Sequence, residues 1–193
     1  MAVPSDNSID TPLKNLSPLT GEGVIIDIGT GDGRFVYQSA RQNPNKFYIG
    51  IDPNVSPLEK ISEKIHRKPS KGGAPNVLFV QAAVEDLPPE LDGVADEVHV
   101  HFPWGSLLRA FATGEVDVLR NVRRICSQGA MLEVVINDHI ADQLIERYRS
   151  AGFEVLEHGS VPVAQWSQFE TTWARRLKQN EHRSVFYLIA RAV

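Results

Sequence analysis

The chain has 193 residues, 42% of them hydrophobic and 23% charged, with 24 acidic against 20 basic residues and a net charge of −4. That length and balance suit one globular domain with a sizeable core, and the acidic excess argues against indiscriminate nucleic-acid binding without excluding a local basic surface. A single cysteine, Cys126, rules out an internal disulfide and fits a reducing compartment; nothing around it suggests a metal cluster, and no metal is expected.

Residues 1–20 are rich in Pro, Ser, Asn and Asp and read as a poorly ordered extension ahead of a domain spanning 21–193. No export signal and no membrane-spanning stretch is read in the chain, so a cytoplasmic protein is expected. The first element is the apolar run Val24 to Ile28, a buried strand that feeds Gly29-Thr30-Gly31-Asp32-Gly33. A dinucleotide-binding turn spaces its glycines G-x-G-x-x-G and would need glycine at Arg34. This turn is G-x-G-x-G preceded by Asp27, which resembles motif I of the S-adenosylmethionine (SAM) methyltransferases. A helix over Arg34 to Gln42 follows, then a second strand, Phe47 to Ile51, ending at Asp52. Asp52 lies 19 residues after Gly33, near the ~20-residue offset of an acid that accepts from ribose hydroxyls. The competing reading is that Asp52 merely begins the turn Asp52-Pro53-Asn54.

Pro57 to His66 is the next helix, with Ser56 as its expected cap. Asn76 to Gln81 is the third strand, and the small residues Ala82 and Ala83 after it leave room for a flat ring beside Glu85. Glu97 to Phe102 is the fourth strand and runs into Pro103-Trp104-Gly105, a poor place to bury a tryptophan and a suitable ledge for stacking a base. Helices over Ser106 to Ala112 and Val116 to Cys126, a strand over Met131 to Asn137, a helix over Gln143 to Ala151, and strands near Phe153 to His158 and Val185 to Ala190 complete the pattern. Strands alternating with helices imply a mostly parallel sheet covered on both faces, with ligands at its C-terminal edge. Basic residues gather at Lys60, Lys64, Arg67, Lys68 and Lys71, and again around Trp173 at Arg175, Arg176, Lys178 and Arg183. Such runs are usually solvated faces, and Glu59 and Glu63 are potential partners of the first. Beside two candidate stacking aromatics they suggest phosphate contacts to an RNA.

The segments DIGTGDGRF from Asp27, FYIGIDP from Phe47, RKPSKGG from Arg67, VQAAVEDLP from Val80, HFPWGSLLRA from His101 and TTWARRL from Thr171 span most of the chain. Together they resemble the aminoglycoside-resistance 16S rRNA methyltransferases that modify N1 of adenine-1408, the Kam/Npm family. The resemblance implies a single-domain class I, Rossmann-like α/β sandwich with a seven-stranded, mostly parallel sheet. It also implies SAM as cosubstrate, S-adenosylhomocysteine as product, and the 30S subunit as partner of a monomeric enzyme. Motif and resemblance assign the cofactor to Asp27, Gly29, Thr30, Gly31 and Asp32, to Asp52 and Pro53, and to Ala83, Val84 and Glu85. By resemblance, Trp104 and Trp173 sandwich the flipped adenine with Thr171 near it, and Lys64, Arg67, Lys68, Lys71, Arg176 and Arg183 hold the rRNA. Three departures stand out: a shorter segment over Asp138 to Ala151, Glu181 where the family carries arginine, and an N-terminus with Pro4 and few apolar residues. The rival readings are a tRNA guanine-N7 methyltransferase and a SAM-binding RNA-interaction protein with degraded activity.

Overall fold

The computed structural model describes residues 22–137, 140–162 and 184–193. Seven apolar runs form the strands β1 (Val24–Ile28), β2 (Phe47–Ile51), β3 (Val77–Val80), β4 (Ala95–His101), β5 (Cys126–Ile136), β6 (Phe153–Pro162) and β7 (Ser184–Ala192). Between them lie the helices α1 (Arg34–Gln42), α2 (Glu59–Ile65), α3 (Gly105–Thr113), α4 (Val116–Ile125) and α5 (Leu144–Ser150). The strands join in one sheet of order β3-β2-β1-β4-β5-β7-β6. The first five are parallel, and β7 inserts antiparallel to both β5 and β6. The expected mostly parallel, seven-stranded sheet is therefore present.

Alternation along each strand splits the side chains between two layers. Ile26, Ile28, Val98, Val100, Leu132 and Val134 pack with Phe111, Leu119 and Tyr148 of α3, α4 and α5 in the larger core. Ile25 and Tyr48 turn the other way, onto Val36, Tyr37 and Ala40 of α1 and Ile65 of α2. Helices thus cover both faces, as the alternating pattern requires. The parallel strands and β6 all end at one edge of the sheet, and β7 begins there. This is the edge that carries the ligand cleft.

Three local readings need correction. Ser56 does not cap a helix: Ser56–Leu58 is a 3₁₀ turn with no side-chain cap, and Asn54 Oδ1 accepts from the Ser56 N–H at 3.2 Å before α2 begins at Glu59. Cys126 belongs to β5 and not to α4, because the chain passes from helix to strand with no connecting loop. There its Sγ donates to Val122 O at 3.2 Å. The last two strands are also longer than their apolar runs, since pairing continues from Phe153↔Ala192 to Pro162↔Ser184. Among the described residues no helix is long and apolar enough to cross a membrane.

Candidate active site: a cofactor cleft and its rim

The first turn is built on backbone that only glycine adopts comfortably. Gly29 has φ 76°, and a Cβ on it would lie 2.6 Å from Leu107 Cδ2 of α3. Its N–H and that of Thr30 donate to Ile51 O at 2.8 and 3.1 Å, which binds the turn to the end of β2. Asp52 completes the junction. Its Oδ2 accepts from the Gly31 N–H and its Oδ1 from the Asn54 N–H, both at 2.9 Å. The two readings of Asp52 are therefore compatible. It organises its own turn, and each oxygen keeps a second lone pair for a ribose hydroxyl.

Between these turns lies a cleft of about 310 Å³, in the size range of small-molecule sites. Of the residues assigned to the cofactor, Gly29, Asp52, Pro53, Ala83, Val84 and Glu85 line it. Ala82 and Ala83 put two small side chains in one wall, and Asn121 of α4 fixes that wall by donating from Nδ2 to Glu85 O at 2.9 Å and Val84 O at 3.3 Å. Asp27, Thr30, Gly31 and Asp32 do not line the cleft. Asp27 and Thr30 are buried beneath the turn, and Asp32 pairs with Arg34 at 3.2 Å. Burial pushes the Asp27 carboxyl above its ordinary range, with His101 pulling it back down. The turn of motif I thus contributes to the wall through Gly29 alone, and its acids lie outside the lining.

Pro103, Trp104, Gly105, Ser106 and Leu107 close the opposite side. The sequence marks Pro103, Trp104 and Gly105 as a stacking ledge; Ser106 and Leu107 were not assigned to the site, although their adjacency to Trp104 was the available signal. Phe102 exits β4 with φ 49°, an uncommon conformation for a bulky residue, and is held by its N–H to Val135 O at 2.7 Å. The strained exit delivers Pro103 inward and leaves Trp104 76% exposed on the rim. Strain of this kind costs about 1–3 kcal/mol and concentrates at ligand sites.

The first basic cluster forms a built surface. After α2 the chain folds back through the 3₁₀ turn Pro69–Lys71, and Ala74 N donates to Ile65 O at 2.9 Å. Gly73 is required there, because a Cβ would sit 1.7 Å from Arg67 O. Tyr37 of α1 clamps the return: its hydroxyl donates to Gly72 O at 2.8 Å while Lys64 Nζ stands 4.4 Å over its ring. Arg67, Lys68 and Lys71 are exposed, and among the described residues no ion pair joins them to Glu59 or Glu63. An exposed basic face of this kind is compatible with both the solvated-face reading and the phosphate-contact reading. Thr171, Trp173, Arg175, Arg176, Lys178, Glu181 and Arg183 lie outside the described residues, as does the extension over 1–20.

A mostly parallel α/β sheet closed by an antiparallel β7, with a glycine turn after β1, an acid after β2 and a cleft between them, is the architecture of the class I SAM-dependent methyltransferases. The comparisons with known proteins narrow the class. Residues 13–192 match the family NpmA, 16S rRNA (adenine(1408)-N(1))-methyltransferase, and the chain belongs to that family. It is 38% identical over 181 residues to the 16S rRNA (adenine(1408)-N(1))-methyltransferase of Streptoalloteichus tenebrarius, covering 84% of this chain and 83% of the relative. The crystal structure of the aminoglycoside resistance methyltransferase NpmB1 superposes with a TM-score of 0.82 at 43% identity, covering 95% of each chain. The enzyme from Catenulisporales acidiphilia, solved as a variant with cosubstrate SAM, superposes at 0.85 with 31% identity, covering 95% of this chain and 92% of that one.

Proposed function

We propose that the chain transfers the methyl group of SAM to N1 of adenine-1408 in the 16S rRNA of the 30S subunit, and that expression confers aminoglycoside resistance. The observation that carries this reading is Trp104, whose indole is 76% exposed on the rim of the cleft and so contributes little to packing among the described residues. The cleft fits the cosubstrate by its chemistry. It offers an acid with a second lone pair on each oxygen at Asp52, and small side chains at Ala82 and Ala83 that leave room for a flat ring. When bound, SAM supplies an electrophilic methyl carbon, and the bond from adenine N1 forms as the bond to sulfur breaks, the sulfur keeping the electron pair. N1 of an unpaired adenine loses no proton in this step, so no residue of the chain has to act as a base.

The work of the protein is therefore positioning. Trp104 offers one stacking face, and Trp173 is assigned the other, with Thr171 beside it. As the ring gains positive charge, indole faces stabilise it by up to about 2 kcal/mol in a desolvated clamp, an interaction that grows toward the transition state. Lys64, Arg67, Lys68 and Lys71, with Arg176 and Arg183, hold rRNA phosphates and set the register, as sequence-independent contacts do. Support for the assignment of Thr171, Trp173, Arg176 and Arg183 comes from their anchors. Pro162 and Ser184, which bracket residues 163–183, are paired partners in the sheet, at the edge that carries the cleft. A ribosomal substrate puts the enzyme in the cytoplasm.

The test is labelled methyl transfer to intact 30S subunits, naked 16S rRNA and bulk tRNA in parallel, with reverse-transcription mapping. Label on 30S with a stop at adenine-1408 is the expected result; label on tRNA would install the guanine-N7 reading, and none on any substrate the degraded-activity reading. Trp104→Ala is expected to lower kcat/KM for 30S about 5- to 150-fold, the equivalent of ~1–3 kcal/mol of stacking. Its melting temperature should stay near that of the parent, because exposed surface substitutions change stability by about 0.5 kcal/mol or less.

A further inference from the structure

Register brings three polar residues together on the α1 face, beneath the cleft. Asp27 of β1 stands opposite His99 of β4, and His99 opposite Glu133 of β5. His101, two residues along β4, faces the same side. His101 Nε2 is 2.7 Å from Glu133 Oε1, His99 Nδ1 is 3.3 Å from His101 Nε2, and His99 Nδ1 is 3.5 Å from Glu133 Oε1. We propose that His99 Nδ1, His101 Nε2 and the Glu133 carboxylate form a binding site for a divalent transition-series cation, with Zn²⁺ the ion its donor set suits.

Two imidazoles and one carboxylate are a familiar three-residue ligand set for Zn²⁺, with a fourth position completed by another ligand. A tetrahedral ion with bonds of about 2.0–2.2 Å holds its donors about 3.3–3.6 Å apart. Two of the three edges already have that length. The third is the His101–Glu133 hydrogen bond, which would open by about 0.6 Å as coordination replaced it. His99 has an outer-sphere partner. Glu97 Oε2 lies 3.4 Å from His99 Nε2 and aims the opposite nitrogen, Nδ1, at the centre, the arrangement found behind most metal-bound histidines. The Phe35 ring packs edge-on at 5.4 Å from His99 and 5.2 Å from His101, which holds both imidazoles and limits water. Glu97 also accepts from Lys46 Nζ at 3.3 Å, which fixes its carboxylate behind His99. The site lies apart from the cleft lining and does not depend on the methyl-transfer reading.

The experiment uses the full chain, stripped with chelator and titrated with Zn²⁺ alone by calorimetry and with Co²⁺ alone by visible absorption. One equivalent of Zn²⁺ at micromolar affinity or tighter, and the intense visible bands of four-coordinate Co²⁺, are the expected results. His101→Gln and Glu133→Gln should each weaken Zn²⁺ binding by more than 100-fold. Because those residues are largely buried, Glu97→Gln is the safer companion: as a supporting group it should weaken binding about 10- to 100-fold while the circular-dichroism spectrum is kept. Absence of Zn²⁺ binding, a weak six-coordinate Co²⁺ spectrum, or binding untouched by Glu97→Gln would overturn the proposal.

Discussion

Replacing Asp52 by asparagine changes one atom and tests the geometry of the cofactor cleft closely. Two backbone N–H groups converge on this side chain, from Gly31 on Oδ2 and from Asn54 on Oδ1, each at 2.9 Å. An amide has a single acceptor, so whichever way it is turned, its NH₂ faces one of those donors. One charge-assisted hydrogen bond is then lost, worth about 1.5–3 kcal/mol. Because the site is partly exposed, the loss of stability should sit near the lower figure, a fall of several degrees in melting temperature at about 2–4 °C per kcal/mol for a chain of this size. For SAM the effect is larger. A ribose hydroxyl that donates to either oxygen loses a charged acceptor, and the displaced turn shifts Gly29 and Pro53 in the same wall. A single such loss corresponds to about 10- to 150-fold in affinity. Calorimetric titration with SAM, alongside thermal melting of the ligand-free variant, separates the two effects. A variant that binds SAM as the parent does would refute the ribose role; one that melts with the parent would refute the account of the turn.

Tyr37→Phe removes the hydroxyl that holds Gly72 O and should cost about 1 kcal/mol of stability. Equilibrium binding should show weaker association with 30S subunits and an unchanged SAM affinity, since the residue lies outside the cleft. Burial pushes the Cys126 thiol up to about 12, against a smaller pull from Arg123. At pH 8 only about one thiol in 10⁴ is then ionised, so alkylation of the folded protein should be slow and should accelerate sharply in denaturant. Prompt stoichiometric labelling without denaturant would contradict the packing of the α4–β5 junction.

What the sequence revealed was what repeats along the chain. Five parallel strands were visible as apolar runs with helices between them, and the ends of those runs named half of the cleft. Gly29, Asp52, Ala83 and Glu85 follow from a strand end and its turn, a local pattern, whereas Pro53 and Val84 were assigned by resemblance. What pairs across strands was not visible. His99, His101 and Glu133 are separated by up to 34 residues, and only the register of β4 on β5 makes them neighbours. The start of β5 was missed for a related reason. Cys126 to Gly129 carries no apolar alternation, and its pairing with Ala95 includes a register shift before Glu97. The backbone of Phe102 was equally hidden, since nothing in a phenylalanine announces a positive φ.

The pairing of Pro162 with Ser184 closes the sheet on both sides of residues 163–183. Both points of attachment of that segment are therefore set by strand pairing, at the same edge as the cleft, and not by the sequence of the segment itself. Substitutions within 163–183 leave the register of Pro162 on Ser184 in place, so the residues proposed there for the RNA can change while their points of departure from the sheet stay where they are.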